Sequence, residues 1–484
     1  MVEYDHKKIL YTIRRLYRRN SKITLYKVIN KMHPSQMANV YRYLHPLERI
    51  NIFKYIIRMD GVGEFIKELD ESLIKEIFAS IKSDEISIIL KKMPAEDIAE
   101  LIEDLSEPIS QKIQELLNKK ELLEVEEVLQ YEDESAGRIM SHEFMAFNSQ
   151  LTIEQARNRF KEYGEDIEMP FYLYVVDIDT NKMIGVLSLR QLLLHDEKKT
   201  LKDIMEKDFI YVNPEDDQEK VANIVSEYNY LALPVLNENQ KLIGIITVDD
   251  VMDVIREEAT EDMLQMAGAG DDEDILLKPI VENAKTRFPW LMPSWIGGIL
   301  AMCIISFFEG FMTQHLILAS FIPIVIGMGG NIGTQTSTII VRGIATGHVN
   351  INEFYKVIFK EIRVGMTLGL IYGILLGFLV FLLVENYNIL QTSLVGEEFG
   401  LTVGISIFLS MLIGCAVASI IPILLYKMNR DPAIATGPFV TTSIDILGVL
   451  VYFLIASLSS FLLLSIFSRN ISPSKSVKLN LASI

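Results

Sequence analysis

Cysteine is nearly absent from this chain. Cys303 and Cys415 are the only two among 484 residues, and both sit in apolar runs. They say nothing of disulfides or zinc and read most simply as small packing residues. Basic charge is also short, with 46 Lys and Arg against 64 Asp and Glu and a net charge of −18. That balance argues against nucleic acid as a partner. No His-Glu-x-x-His motif occurs, and His315 and His348 of the apolar half are not spaced as metal ligands. An intramembrane metalloprotease would need such a motif, so an enzyme is not expected. The first residues, MVEYDHKKILYTIRRLYRRN, are charged and helical in pattern and show no secretory signal. The front half is therefore expected in the cytosol.

What is present divides near residue 290. The front part is charged and punctuated, whereas the rest is mostly Leu, Ile, Val, Phe, Gly and Ser. The acidity of the front part serves either solubility or the binding of divalent cations. Residues 1–135 form an acidic helical region with a loose repeat, seen in KMHPSQMANVYRYL, YLHPLERINIFKYI, KMPAEDIAELIEDL and LSEPISQKIQELL. Each unit places Pro near a helix start and then apolar residues at helical spacing. Stacked units of this kind make a small superhelix, and an ordinary helical bundle is the other reading.

Residues 136–256 hold a duplication, with copies over 136–200 and 201–256. Each reads as strand, amphipathic helix, strand, turn, strand and helix, the turns being Asp179-Thr180-Asn181-Lys182 and Asn237-Glu238-Asn239. The pairs Ile139-Met140 and Ile204-Met205, Pro234-Val235, and IGVLSLRQLL with IGIITVDDVM carry a close resemblance to tandem CBS (cystathionine-β-synthase-type) domains. That resemblance implies an α/β regulatory sensor of adenine nucleotides or metal ions. It makes Asp250 and Arg190 candidate nucleotide contacts and leaves ATP binding open. Gln191 stands in the first copy where Asp250 stands in the second. Residues 257–293 continue an acidic helix and linker, which either connects the sensor to the apolar half or transmits its state.

Five apolar stretches then fall near 295–317, 321–344, 364–384, 403–425 and 439–466, within a membrane region 294–467. Each is about as long as the roughly 20 residues a bilayer core requires. Arg342, Lys356, Lys360 and Arg363 lie between the second and third, and Lys427 and Arg430 between the fourth and fifth. These basic loops are expected on the cytoplasmic side. The tail 468–484 is then placed outside, although Arg469, Lys475 and Lys478 run against the rule.

Two motifs interrupt the apolar runs. PIVIGMGGNIGTQTSTIIVRG, residues 323–343, concentrates Gly, Asn331, Gln335 and hydroxyl residues in one span. Small residues allow close helix packing, and polar ones line a path. DPAIATGPFVTTSIDILG, residues 431–448, places Thr441, Thr442 and Asp445 within about a turn of one another. One carboxylate beside hydroxyls suits a hard cation such as Mg²⁺, which keeps part of its water shell. A proton-relay carboxyl and a protonated, hydrogen-bonded carboxyl are the alternatives. Besides Asp445, Glu309 is read as the sole intramembrane acid, so a second Asp445 from a homodimer is expected to complete an ion site.

The order of parts, together with GGNIGTQ and DPAIATGPFVTTSID, resembles the MgtE family of magnesium channels over nearly the whole chain. The resemblance implies a homodimeric, multi-pass channel in the plasma membrane, with Mg²⁺ as its cargo and Mn²⁺ or other divalent ions left open. It also implies that cytosolic Mg²⁺ closes the pore. It assigns the pore to Asp445 with Asn331, Thr441 and Thr442 around it, and the cytoplasmic mouth to Asp431 facing Glu258, Glu261 and Asp262. Sensor ligands are then Asp217, Glu219, Asp250, Asp253, Glu96 and Glu100. Asn229 stands where the family has an acid. A Na⁺- or H⁺-coupled carrier with the same regulatory domains is the alternative, since broken helices and a buried acid serve carriers too.

Overall fold

The computed structural model describes residues 2–163, 171–270, 275, 278–312, 316–349, 353–387, 396–428 and 430–470. The tail lysines Lys475 and Lys478 therefore lie outside the described residues. The chain separates into two compact units, Met1–Glu258 and Ala259–Ile484.

The first unit opens with ten short helices: α1 (Val2–Arg18), α2 (Lys22–Ile29), α3 (Pro34–Arg42), α4 (Pro46–Ile56), α5 (Val62–Lys67), α6 (Glu71–Ser80), α7 (Ser83–Leu90), α8 (Ala95–Asp104), α9 (Glu107–Leu116) and α10 (Lys119–Val128). Pro34 and Pro46 open their helices, where the missing N–H removes no helical hydrogen bond. Asn118 caps α10 by accepting from the amides of Lys120 and Glu121 at 2.9 and 3.1 Å. All ten helices contribute to one shared core that runs from Ile13 to Val128. The repeat seen in the sequence thus supplies helix starts, while burial welds the units into one body. Gly63 permits this closeness, because a Cβ there would meet the Lys92 carbonyl.

The CBS pair follows. Strands β1 (Ala146–Asn148), β2 (Tyr172–Val176) and β3 (Met183–Ser188) form one sheet, with β1 parallel and β3 antiparallel to β2. Strands β4 (Ala232–Leu236) and β5 (Leu242–Thr247) form an antiparallel pair, and a bridge from Val212 to Val235 stands where the first copy has β1. Helices α11 (Ile153–Tyr163), α12 (Leu189–Leu194), α13 (Leu201–Ile204) and α14 (Gln218–Tyr228) cover the sheets, and α15 (Val248–Met266) leaves them. The repeated Ile-Met pairs lock the two copies crosswise. A Cβ on Gly185 would meet Met205 Sδ at 2.7 Å, and one on Gly244 would meet Met140 Sδ at 2.7 Å. Each methionine therefore packs over the glycine of the other copy. Asn229 ends α14 with φ +55°, a left-handed position that Asn tolerates better than most side chains.

Among the described residues, the elements of the second unit are all helical. After α15 come α16 (Ile280–Phe307), α17 (Glu309–Met312), α18 (Ile322–Ala345), α19 (Phe354–Tyr387), α20 (Gly396–Lys427) and α21 (Pro438–Asn470). Among the described residues, five segments are long and apolar enough to cross a membrane: Ile280–Phe307, Ile317–Ala345, Phe354–Leu383, Phe399–Lys427 and Pro438–Ser459. Several helices start well before the apolar stretches. Interfacial residues extend a helix without raising its hydrophobicity, so the stretch marks only the hydrocarbon part. Glycine brings backbones together in this unit. On α19, a Cβ at Gly369, Gly373 or Gly377 would stand 2.9, 2.6 or 2.7 Å from a carbonyl oxygen of Phe408, Gly404 or Gly400 on α20. Such a small-residue seam lets dispersion hold helices where lipid offers no hydrophobic drive.

Candidate ion sites and relatives

Two acid clusters assemble in the first unit. In the first, Glu96, Asp97 and Glu100 come from the start of α8, and Asp250 and Asp253 from the start of α15. Lys67, the last residue of α5, reaches between the two helices. Its Nζ lies 3.4 Å from Asp97 Oδ1, 3.2 Å from Asp250 Oδ1 and 4.0 Å from Asp253 Oδ2. Burial pushes Glu96 up to about 8, with Asp97 and Asp250 adding to it, and one Glu96 carboxylate oxygen is buried without a hydrogen bond. Glu100 is pushed up to about 7 by crowding first and then by Asp104, Asp97 and Glu257, although its end still reaches solvent. Burial also raises Asp97 and Asp253, against the pull of Lys67.

In the second cluster, Glu258 is pushed up to about 7 by burial and by Glu219, Glu134 and Asp217, against the hydrogen bond from Gln218. That bond runs from Gln218 Nε2 to Glu258 Oε1 at 2.7 Å. Asp217 caps α14, accepting from the Glu219 amide at 2.7 Å. Sequence reasoning missed Asp97, Glu134 and Lys67. Asp97 was legible beside Glu96 in the first turn of a helix. Lys67 had no local signal.

These acids hold their protons more tightly in the folded chain than at the ordinary glutamate value of 4.5. Their contribution to stability is therefore fully present below about pH 4.5 and is lost as pH rises through about 7 to 8. In metal-free buffer, amide exchange over α8 and α14, corrected for its intrinsic pH dependence, is expected to accelerate from pH 5 to pH 8. Mg²⁺ is expected to suppress that rise. Equal protection at both pH values without metal would contradict it.

Asp250 also accepts from Thr247 Oγ1 at 2.5 Å, and the Asp250 amide returns to that hydroxyl at 3.4 Å. Gln191 makes the same local bridge with Ser188 and further donates to Glu206 at 2.8 Å. Both are helix-start capping residues, which is a structural reason for a polar residue at each position. Arg190 borders a cleft with Phe171, Tyr172 and Leu231.

In the second unit, Asp262 near the end of α15 and Asp431 before α21 are close enough to repel. Burial, and then Asp431, push Asp262 up to about 6, with Arg342 pulling down. Asp431 is raised by burial and is held by the Ala433 amide at 2.8 Å and by Gln265. Glu261 lies one residue from Asp262 and accepts from Gln265. Here the end of α15 is packed against the entrance of α21. A Cβ on Gly437 would sit 3.1 and 3.2 Å from the carbonyls of Met266 and Gln265. Gly268, at φ +67°, faces Pro438.

Asp445 lies two turns into α21. A Cβ on Gly330 of α18 would be 3.6 Å from its Oδ1, so the glycine leaves the carboxylate its space. Thr441 donates to the Gly437 carbonyl at 3.0 Å, and Thr442 to Ser294 of α16 at 3.4 Å. Asn331, Thr334, Gln335 and Thr338 are exposed and spaced to share one face of α18. Glu361 lies on α19, ahead of the apolar stretch 364–384, and is buried; Thr336 Oγ1 donates to it at 3.4 Å. Sequence reasoning did not single it out, because its turn precedes the apolar stretch. Among the described residues, no three His, Cys, Asp or Glu side chains converge as a ready metal site. A hydrated ion, or carboxylates from a second chain, fits the candidate residues better than a bare ion in one chain.

Family models match most of the chain in the same order. The MgtE intracellular N domain matches residues 32–134, CBS domains match 136–197 and 201–257, and MgtE, described as a divalent cation transporter, matches 322–455. The magnesium transporter MgtE of Bacillus subtilis (strain 168) is 32% identical over 430 residues, covering 89% of this chain and 92% of that protein. Magnesium transporter MgtE of Thermus thermophilus is 34% identical over 350 residues, covering 72% of this chain and 75% of that protein. A crystal structure of the soluble part of a magnesium transporter is 28% identical, with a TM-score of 0.49, over 52% of this chain and 99% of that one. The chain is a multi-pass membrane protein, and it belongs to the MgtE family.

Proposed function

We propose that this chain is a Mg²⁺-selective channel for uptake across the plasma membrane, working as a homodimer and closed by cytosolic Mg²⁺. The observation that carries the gating is the seat of α15 on the entrance of α21, where Asp262 and Asp431 are close enough to repel. Two facing carboxylates repel until a cation lies between them. A divalent ion there favours the seated helix and a closed entrance, and its withdrawal favours release. The acid clusters of Glu96, Glu100, Asp250 and Asp253 and of Asp217, Glu219 and Glu258 add further ions on the cytosolic side. Several modest differential affinities then sum into one shift of the open–closed balance.

Asp445 is the residue proposed to face the permeating ion, with Asn331, Thr441 and Thr442 lining its path. The exposed polar strip on α18 supports a second copy as its cover, because polar side chains on a span face protein or water rather than lipid. The basic residues between spans two and three, and four and five, support a cytoplasmic N-terminus.

Asp217→Asn tests the sensor without disturbing the fold. Asn caps a helix about as well as Asp, so this change removes charge and keeps α14 capped. In inside-out patches the Mg²⁺ concentration that half-closes the channel is expected to rise by about threefold or more, the ratio given by ~0.7 kcal/mol of lost coupling. Closure at the wild-type concentration would remove Asp217 from the sensor. Uptake that depends strictly on a Na⁺ or H⁺ gradient would favour the carrier.

A further inference from the structure

Lys67 is a feature of the acid seam that the gating reading does not use. Its ammonium lies within 4.0 Å of three carboxylate oxygens, from Asp97, Asp250 and Asp253. The contact is long in sequence, with 183 residues separating Lys67 from Asp250. The Lys67 side chain is 32% exposed, and Asp97 and Asp250 are 10% and 20% exposed. Arg256 lies 3.4 Å from Asp253.

We infer that Lys67 is a tethered counter-cation, occupying the position between α8 and α15 that a divalent ion would otherwise take. This rests on the sensor reading above and specifies how one of its sites behaves. Five acids meet at this seam, and one ammonium offsets only part of their charge. The seam therefore stays assembled without metal. A divalent ion can join it only by sharing the aspartates with the ammonium or turning it out toward solvent. A fixed ammonium raises the ion concentration that the seam needs and lowers the repulsion left when no ion is bound. The cation response of this seam is thus set by a lysine as well as by its acids.

The two consequences have opposite signs, which makes the inference testable. The experiment is hydrogen exchange on the full chain in detergent, following α8 as Mg²⁺ alone is titrated from a chelated start. For Lys67→Met, metal-free exchange over α8 is expected to rise several-fold. Its Mg²⁺ midpoint is expected to fall by about threefold or more, the size of a partly screened charge coupling read as a ratio. Lys67→Arg is expected to keep both wild-type values. Faster exchange of Lys67→Met without a lower midpoint would make Lys67 an ordinary structural ion pair and overturn the inference. An unchanged midpoint and unchanged metal-free exchange would overturn it as well, while a responsive wild type would leave the sensor reading standing. A wild type with no Mg²⁺ response would overturn the sensor reading itself, and this inference with it.

Discussion

Asp445→Ala is expected to abolish Mg²⁺ uptake into liposomes, lowering the initial rate by more than about tenfold, a loss of at least ~1.4 kcal/mol in the rate-limiting free energy. Asp445 carries no hydrogen bond or ion pair among the described residues, and Gly330 leaves space beside it. A carboxylate kept this way on an apolar helix serves something outside its own chain. The reading in which it is merely a packed, protonated group predicts that Asn, of the same shape, is neutral. The ion reading predicts that Asp445→Asn loses most transport, because Mg²⁺ needs the charge to compensate the waters it gives up. Both variants are expected to elute from size exclusion like the wild type, since α21 packs through Val440, Ile444 and Val449 rather than through Asp445. Wild-type uptake by Asp445→Asn would end the assignment.

The reach of the sequence depended on how local each signal was. The Ile-Met and Ile-Gly pairs were visible as repeats because each lies in one short stretch. Their crosswise packing, Met140 over Gly244 and Met205 over Gly185, was invisible because it joins different copies. Asp445 was legible because a charge among apolar residues has no local explanation. Glu361 was not, because Lys356, Lys360 and Arg363 surround it and dilute the apolar pattern over the first turns of α19. The polar position shared by Gln191 and Asp250 suggested a ligand. The hydrogen bonds to Ser188 and Thr247 give each position a capping role that spacing alone does not separate from binding. Lys67 shows the limit most clearly. Nothing in VGEFIKELD distinguishes it from a solvated lysine, and only the fold brings Asp97 and Asp250 to it.

Gly437→Val is expected to leave Mg²⁺ conduction in place while removing most of its closure by cytosolic Mg²⁺. The Cβ of any residue at 437 would meet the Met266 and Gln265 carbonyls at 3.1 and 3.2 Å, with the Gly268 amide at 3.2 Å. Those are backbone atoms at the C-terminal end of α15, so they cannot rotate away, and the added methyls of valine need still more room. The α15 end must lift, which separates Asp262 from Asp431 and weakens any ion held between them. Valine loses little on the α21 side, because Gly437 does not need a left-handed backbone; among the described residues the glycines that do are Gly268, Gly270 and Gly347. The damage therefore falls on the seat rather than on the spanning helix or Asp445. In inside-out patches, current is expected to persist at cytosolic Mg²⁺ concentrations that silence the wild type, with the half-closing concentration raised about tenfold or more, equivalent to ~1.4 kcal/mol. Gly437→Ala, with its single methyl, is expected to fall between the two. Asp431→Asn distinguishes charge from shape at the same place. It removes the repulsion without moving the helix, so it is expected to weaken the Mg²⁺ dependence of closure while leaving α15 seated. Closure of Gly437→Val at the wild-type Mg²⁺ concentration would show that the contact between α15 and α21 is not the gate, whatever the acids around it bind.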